Sequence, residues 1–163
     1  MKIFKIVLLA YLIAIISYSV LPKMLIHNSL PNLLLIFTLI LMFKDRINDG
    51  AIFGIVGALF LDLLGYNFAS NILPTTAIIL LVWFLIHRFF ETSNIYIFLI
   101  FCFFSNLIYD LLFLMISHSL ILNYHLLFNA NYTALSGLLL YTLYNFFEEK
   151  YGWSQSEKQK ISI

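Results

Sequence analysis

Apolar residues run in six long stretches along this chain, separated by short polar or glycine-containing breaks. The stretches cover residues 6–21, 24–43, 50–65, 72–90, 95–117 and 126–147. The second centres on 31–43 and is carried back to 24 to reach spanning length, and the short third is lengthened by residues 66–68. Breaks fall at Lys44-Asp45-Arg46, at 66–71, at Glu91-Thr92-Ser93-Asn94 and at 118–125. Uncharged runs of this length predict helices, because barrel strands alternate apolar and polar residues. A helix needs roughly 20 residues to cross a bilayer. The pattern therefore predicts an all-α integral membrane protein, with one six-helix transmembrane domain over 1–150 and a short polar tail over 151–163.

Composition strengthens that expectation. Of 163 residues, 63% are hydrophobic, 18% aromatic and only 10% charged, whereas soluble domains average about 45–50% apolar and about 25% charged. A soluble fold of this length could not hide so much apolar surface, so lipid is the expected solvent. The net charge of +1 and the lack of a Lys/Arg run exclude nucleic acid as a partner. A single cysteine, Cys102, excludes an internal disulfide framework and any CxxC site. Six spans use about 120 residues, which leaves no soluble domain for nucleotide binding or hydrolysis. Lys2 and Lys5 before the first run, with Ser17-Tyr18-Ser19 after it, have the outline of a signal peptide. The run is long for a signal core, so an uncleaved first helix is expected.

Basic residues set the expected orientation. With six alternating helices, one side receives Lys2, Lys5, Lys44, Arg46, Arg88, Lys150, Lys158 and Lys160, and the other only Lys23. Both termini are then expected on the cytoplasmic side. In that arrangement Asp62 and Asp110, the two acids inside spans, lie at similar depth in the outer half. A central aspartate costs about 2.5–3.5 kcal/mol on insertion scales, and less near an interface, so each asks for a reason. Small residues Gly54 and Ala58 lead to Asp62 along one face, and Cys102 and Asn106 lead to Asp110. Asn129, Thr133, Ser136 and Gly137 share a face of the sixth helix, and Thr75 and Thr76 lie on the fourth.

Two readings of these groups stand side by side. One is an outward-opening polar cavity for a small ligand or an inserted partner segment, lined by Asp62, Asn106, Asp110, Asn129, Thr133 and Ser136. The other is interhelical hydrogen bonding that fixes the bundle, worth about 0.6 kcal/mol per bond. Gly50, Gly54, Gly57 and Gly65 form a second dense feature, and Gly50 and Gly54 make a GxxxG pair. Such spacing lets helices approach closely, either within the chain or along a homodimer seam. His118 and His125 lack a Cys or carboxylate at ligand spacing, so no metal is expected. No nucleophile elbow, HExxH, Walker loop or dinucleotide loop occurs. The expectation is a non-enzymatic protein with no catalytic residues and no cofactor.

From Pro31 to about Ala77 the chain resembles MreD, the bacterial rod shape-determining membrane protein family. The resemblance is carried by Pro31-Asn32-Leu33-Leu34-Leu35, by the charged turn over 44–49, and by the series Gly50, Gly54, Gly57, Asp62 and Gly65. Asn32 stands where many family members have Asp, and Tyr66-Asn67-Phe68-Ala69-Ser70 replaces a loop that often carries Gly or Ser-Pro. Asp110 is not part of the family pattern. The resemblance implies a scaffold of the elongasome, the lateral peptidoglycan synthesis machinery, in the bacterial cytoplasmic membrane. Implied partners are an MreC-like single-span periplasmic protein, MreB filaments, and RodA with its transpeptidase. The family's fold is similar to the substrate-binding subunits of energy-coupling-factor transporters. The alternative is therefore a vitamin-type ligand-binding subunit, for which Ala10 and Ala14 would be a thin version of the coupling-protein docking motif.

Overall fold

The computed structural model describes residues 2–20, 30–65, 69–89, 94–116 and 125–151, and over these the chain is all-helical. Six α-helices are present among them: α1 (Lys2–Ile15), α2 (Leu33–Phe43), α3 (Ile47–Gly65), α4 (Ile72–Phe89), α5 (Ile95–Ile116) and α6 (His125–Tyr151). A π-helical turn, Ile16–Val20, continues α1. Three segments are long and apolar enough to cross a membrane: Ile3–Val20, Ile47–Gly65 and Ile95–Ile116. The expected helical extensions over 24–29 and 66–68, the loop residues 118–124 and the tail from 152 lie outside the described residues.

The second apolar stretch is not one continuous helix. Leu30, Pro31 and Asn32 are non-helical, and α2 begins only at Leu33. Asn32 caps it, its side-chain oxygen accepting from the Leu35 N–H at 3.1 Å. With 11 residues, α2 rises about 16 Å at 1.5 Å per residue, roughly half of a bilayer core of about 30 Å. It ends in a turn where the Arg46 N–H reaches the Leu41 carbonyl at 3.1 Å, with Asp45 at φ 57°. An aspartate tolerates this left-handed position better than most residues. At the next helix start, Asp49 lies in the first turn of α3 and pairs with Arg46 at 2.8 Å. A carboxylate there complements the helix dipole, and α3 accordingly begins three residues before the expected position 50. At the other end of the chain, α6 runs past the expected 147 through Glu148 and Lys150.

The shortest helix occupies the centre. Eight residues of α2 are buried: Leu34, Leu35, Ile36, Thr38, Leu39, Ile40, Met42 and Phe43. The other five helices all pack against it, and they adjoin one another in the order α1, α3, α4, α5, α6. A helix apolar on every side belongs inside other helices. Two cores meet at α2. Ile6, Ala10 and Ile13 of α1 join Leu34, Phe53 and Ala58 on one side. On the other, Leu35, Leu39 and Phe43 join Ile78, Val82, Phe98, Cys102 and Tyr141. Phe43 meets the rings of Phe98 and Phe101 edge-on at 5.4 and 5.2 Å, and Phe98 stacks on Tyr141 at 4.4 Å. The outer faces stay apolar, with Phe4, Leu8 and Leu12 of α1, Leu80 of α4, Phe104 of α5 and Leu135 of α6 exposed.

α3 lies against α2 through its glycines. A Cβ on Gly50 would stand 2.9 Å from the Thr38 carbonyl oxygen and 2.7 Å from Met42 Cγ. On Gly54 it would meet Thr38 Cγ2 at 3.0 Å, and on Gly57 the tip of Leu34. Gly50, Gly54 and Gly57 thus track Met42, Thr38 and Leu34 in antiparallel order. This glycine face is covered by α2 within the chain.

Adding a methyl group at Gly50 forces a backbone carbonyl to move, whereas at Gly57 a leucine tip can rotate. Gly50→Ala is expected to cost about 1–3 kcal/mol, as overpacking does, and Gly57→Ala less. Thermal unfolding in detergent checks the order, and equal midpoints for Gly50→Ala and the unaltered chain would contradict it.

Candidate functional site

Helix directions follow from cross-helix contacts. Asn32, before α2, meets Thr133 early in α6, and Lys44, after α2, meets Glu148 late in α6, so these helices run parallel. Phe98 and Tyr141, with Cys102 opposite Gly137, make α5 and α6 antiparallel. One end of the bundle therefore gathers Lys44, Arg46 and Lys150, and the opposite end gathers Asp62, Asp110 and their neighbours.

At the basic end, Lys44 Nζ sits 2.6 Å from Glu148 and 5.5 and 5.6 Å from the Tyr141 and Tyr144 ring centroids. The ammonium is thus held over two ring faces and by one carboxylate. This joins the end of α2 to the last turns of α6.

Asp62 anchors the opposite end. Its Oδ1 accepts from the Asn71 N–H and Asn71 Nδ2, both at 2.8 Å, and from Ser70 Oγ at 3.2 Å. Its Oδ2 accepts from the Ile72 N–H at 3.0 Å. The first N–H groups of a helix have no intrahelical acceptor, and a carboxylate beside them is favoured by the helix dipole as well. The last turn of α3 therefore caps α4. The Tyr109 hydroxyl of α5 donates to Asn71 Oδ1, so one carboxylate organises three helices. The chain reaches this geometry through Ala69, held at φ 61°.

Asp110 belongs to a second group. Its carboxylate accepts from Asn106 Nδ2 at 3.0 Å, one turn earlier on α5, and also bonds to the Asn129 side chain of α6. Tyr109 lies within electrostatic reach of both Asp62 and Asp110, so the two groups are neighbours. Thr133 is fully buried, and its hydroxyl oxygen accepts from the Asn32 N–H at 3.1 Å. Ser136, one turn further along α6, is half-buried. Asn129 Oδ1 and Thr75 Oγ1 are among the buried polar atoms with no hydrogen-bond partner among the described residues.

Of the six residues expected to line one cavity, Asp62, Asp110 and Asn129 lie toward one end of the bundle, Asn106, Thr133 and Ser136 lie nearer its middle, and they divide by partner. Asp62 turns to the loop before α4, Asp110 joins Asn106 and Asn129, and Thr133 turns to α2. Pro31 and Asn32 lie at the α2 cap, and Gly65 closes α3. Sequence reasoning passed over Ser70, Asn71 and Tyr109. A Ser-Asn pair immediately before the apolar run at Ile72 is a helix-start signal that could have found the first two. Ala10 and Ala14 are both fully buried, so the chain itself covers the alanine pair.

Comparison with known protein families, with curated proteins and with solved structures finds no match to this chain.

Two substitutions follow from the caps. Asp62→Ala leaves the Asn71 and Ile72 N–H groups without their acceptor, where lipid offers no replacement, and is expected to cost about 1–3 kcal/mol. Asp110→Asn keeps an acceptor for Asn106 and is expected to cost less; denaturation in mixed micelles ranks the two, and the reverse order would contradict these roles. Asn32→Asp preserves an N-cap acceptor and is expected to leave stability nearly unchanged. Asn32→Ala is expected to lose about 0.5–2 kcal/mol, read from the same unfolding curves, and equal loss in both variants would remove the cap from the account.

Proposed function

We propose that this chain is a non-enzymatic, MreD-like scaffold that spans the bacterial cytoplasmic membrane six times with both termini inside. In that reading it binds an MreC-like single-span protein and positions the wall-elongation synthases. The carrying observation is that the residues bearing the resemblance form one connected framework. Asn32 caps α2, the glycines of α3 lie against α2, and Asp62 closes α4. Residues spent on holding helices in register suit a protein whose output is a fixed surface. Mechanism is then positional: the scaffold biases a partner only as far as it binds one of the partner's states more tightly than the other.

The end-to-end division of charge supports the orientation. Lys44, Arg46 and Lys150 share an end, as cytoplasmic basic residues do. Asp62, Asp110 and Asn129 then face the outer leaflet, where a partner's membrane-proximal segment arrives. α2, α4 and α6 complete the six spans in this reading, the short α2 crossing inside a sheath of protein.

The vitamin-binding alternative draws on the unpartnered Asn129 Oδ1 and Thr75 Oγ1, two polar atoms suited to a small ligand. Against it, Ala10 and Ala14 are enclosed by the chain and offer no face to a coupling protein.

Depletion in a rod-shaped host that lacks a paralogue is expected to round the cells, and Asp62→Ala is expected to complement poorly. Affinity purification in mild detergent is expected to recover a single-span coiled-coil protein and wall synthases. Unchanged cell shape, or recovery of paired ATPases with a vitamin, would overturn the scaffold reading.

A further inference from the structure

The ring of helices around α2 is open on one side. α1 packs mainly on α3 and α6 mainly on α5, and among the described residues these two ends of the ring are not packed together. The opening shows on α2 itself. Its other apolar residues are buried, whereas Leu33, Phe37 and Leu41 are only half-buried. At 3.6 residues per turn these three form one stripe about 80° wide. Equal cylinders leave room for six neighbours around one, about 60° each at helix-packing distances. The chain supplies five, so the stripe marks a sixth position, one helix wide.

The walls of this position are apolar. On α1, Tyr11 turns to Phe60 of α3 at 5.0 Å, and Ile6 and Ile13 join the core that holds Leu34. Leu9 and Ile16 follow next around the helix and border the opening, exposed at 44% and 39%. On α6, Tyr141 turns to Phe98 and Thr133 to Asn32, so Leu143 comes next. Levels agree as well. Phe60 is about one turn from Gly57, which lies against Leu34, so the middle of α1 is level with Leu33 and Phe37.

α1 is also the helix best suited to fill such a position. Only 22% of its membrane window is buried, against 33% in each of the other two, and its mean hydropathy of 2.3 is the highest of the three. Leu8 and Leu12 stand on its outer face, each 48% exposed. A two-fold axis along the membrane normal, set beside Leu9 and Ile16, carries the α1 of each copy into the sixth position of the other. One contact then fills both openings, as an isologous interface does. α6 borders the same opening, but its outer face carries the exposed polar residues Asn131 and Thr142.

We propose that this chain forms a two-fold dimer in which each copy lodges its α1 against the open stripe of α2 in the other. Leu9 and Ile16 meet their counterparts near the axis, and Leu8 and Leu12 lie over Phe37 of the other copy. Side-chain packing carries the association, as it does between helices in lipid. The glycine face of α3 plays no part, because α2 covers it within each chain. The inference goes beyond the scaffold reading and does not depend on it.

The test is photocrosslinking in native membranes, with p-benzoylphenylalanine in place of Phe37 or, as a control on the outer face of α4, of Leu80. Light is expected to give a covalent dimer from position 37, its adduct mapped by mass spectrometry to α1 of a differently tagged copy, and none from position 80. Native mass spectrometry of the unaltered chain in mild detergent is a second readout and is expected to find a dimer. Leu12→Ala is expected to weaken that dimer at least about fivefold, the scale of one truncated contact residue. Phe104→Ala, on the outer face of α5, is expected to leave it unchanged. Unfolding midpoints verify that each variant is folded. Adducts from position 37 with phospholipid alone, with a different membrane protein, or with α6 of the second copy would each overturn the inference. So would equal crosslinking from positions 37 and 80, or a monomer in both measurements.

Discussion

The close approach of α3 to α2 is the contact on which the other helices depend. Gly50, Gly54 and Gly57 remove the side chains that would hold the two apart, and Met42, Thr38 and Leu34 occupy the space. α2 is too short to cross lipid alone and too apolar to lie in water. Surrounded by protein it needs neither, because its backbone bonds are internal and its side chains fill two cores at once. Thr38 shows how complete the enclosure is: its hydroxyl donates to the Leu34 carbonyl at 2.8 Å within the helix and is fully buried. Between bilayer helices, where water exclusion supplies no driving force, such packing and hydrogen bonding carry association.

Around that centre the polar groups act as ties between helices. Lys44 joins α2 to α6 at the basic end. Asn32 joins the same two helices at the other through Thr133. Asp62 then fixes the order of α3, α4 and α5 by satisfying N–H groups that lipid could not. Asp110 adds the α5–α6 tie with Asn106 and Asn129. Most of these groups are spent on the bundle, while Asn129 Oδ1 and Thr75 Oγ1 retain unused capacity.

Helices were legible wherever an apolar run was long and its ends were polar, and α4 and α5 begin at the expected residues 72 and 95. The start of α2 was not, because bilayer thickness was used to set its length. Pro31 and Asn32 carried the opposing signal, a capping residue directly before the run, and local chemistry prevailed because α2 faces protein. The turn at 44–46 was visible from its charges, but its effect on α3 depended on Asp49 pairing with Arg46 across the helix start. Asp62 was visible as an expensive residue. Its partners were hidden because hydrogen bonds to a loop backbone leave no periodicity. Tyr109 was hidden because tyrosines are common in this chain and one hydroxyl contact does not distinguish it.

Disulfide trapping tests the central contact most directly. In a Cys102→Ser background, Thr38→Cys is combined with Gly54→Cys, positions where a Cβ on Gly54 would stand 3.0 Å or less from the Thr38 side chain. Mild oxidation in native membranes is expected to give an intrachain crosslink joining the α2 and α3 peptides, identified by mass spectrometry, with no dimer. A crosslinked dimer would place the glycine face between two chains, and an absence of any crosslink in folded protein would separate α3 from α2; either would contradict the account.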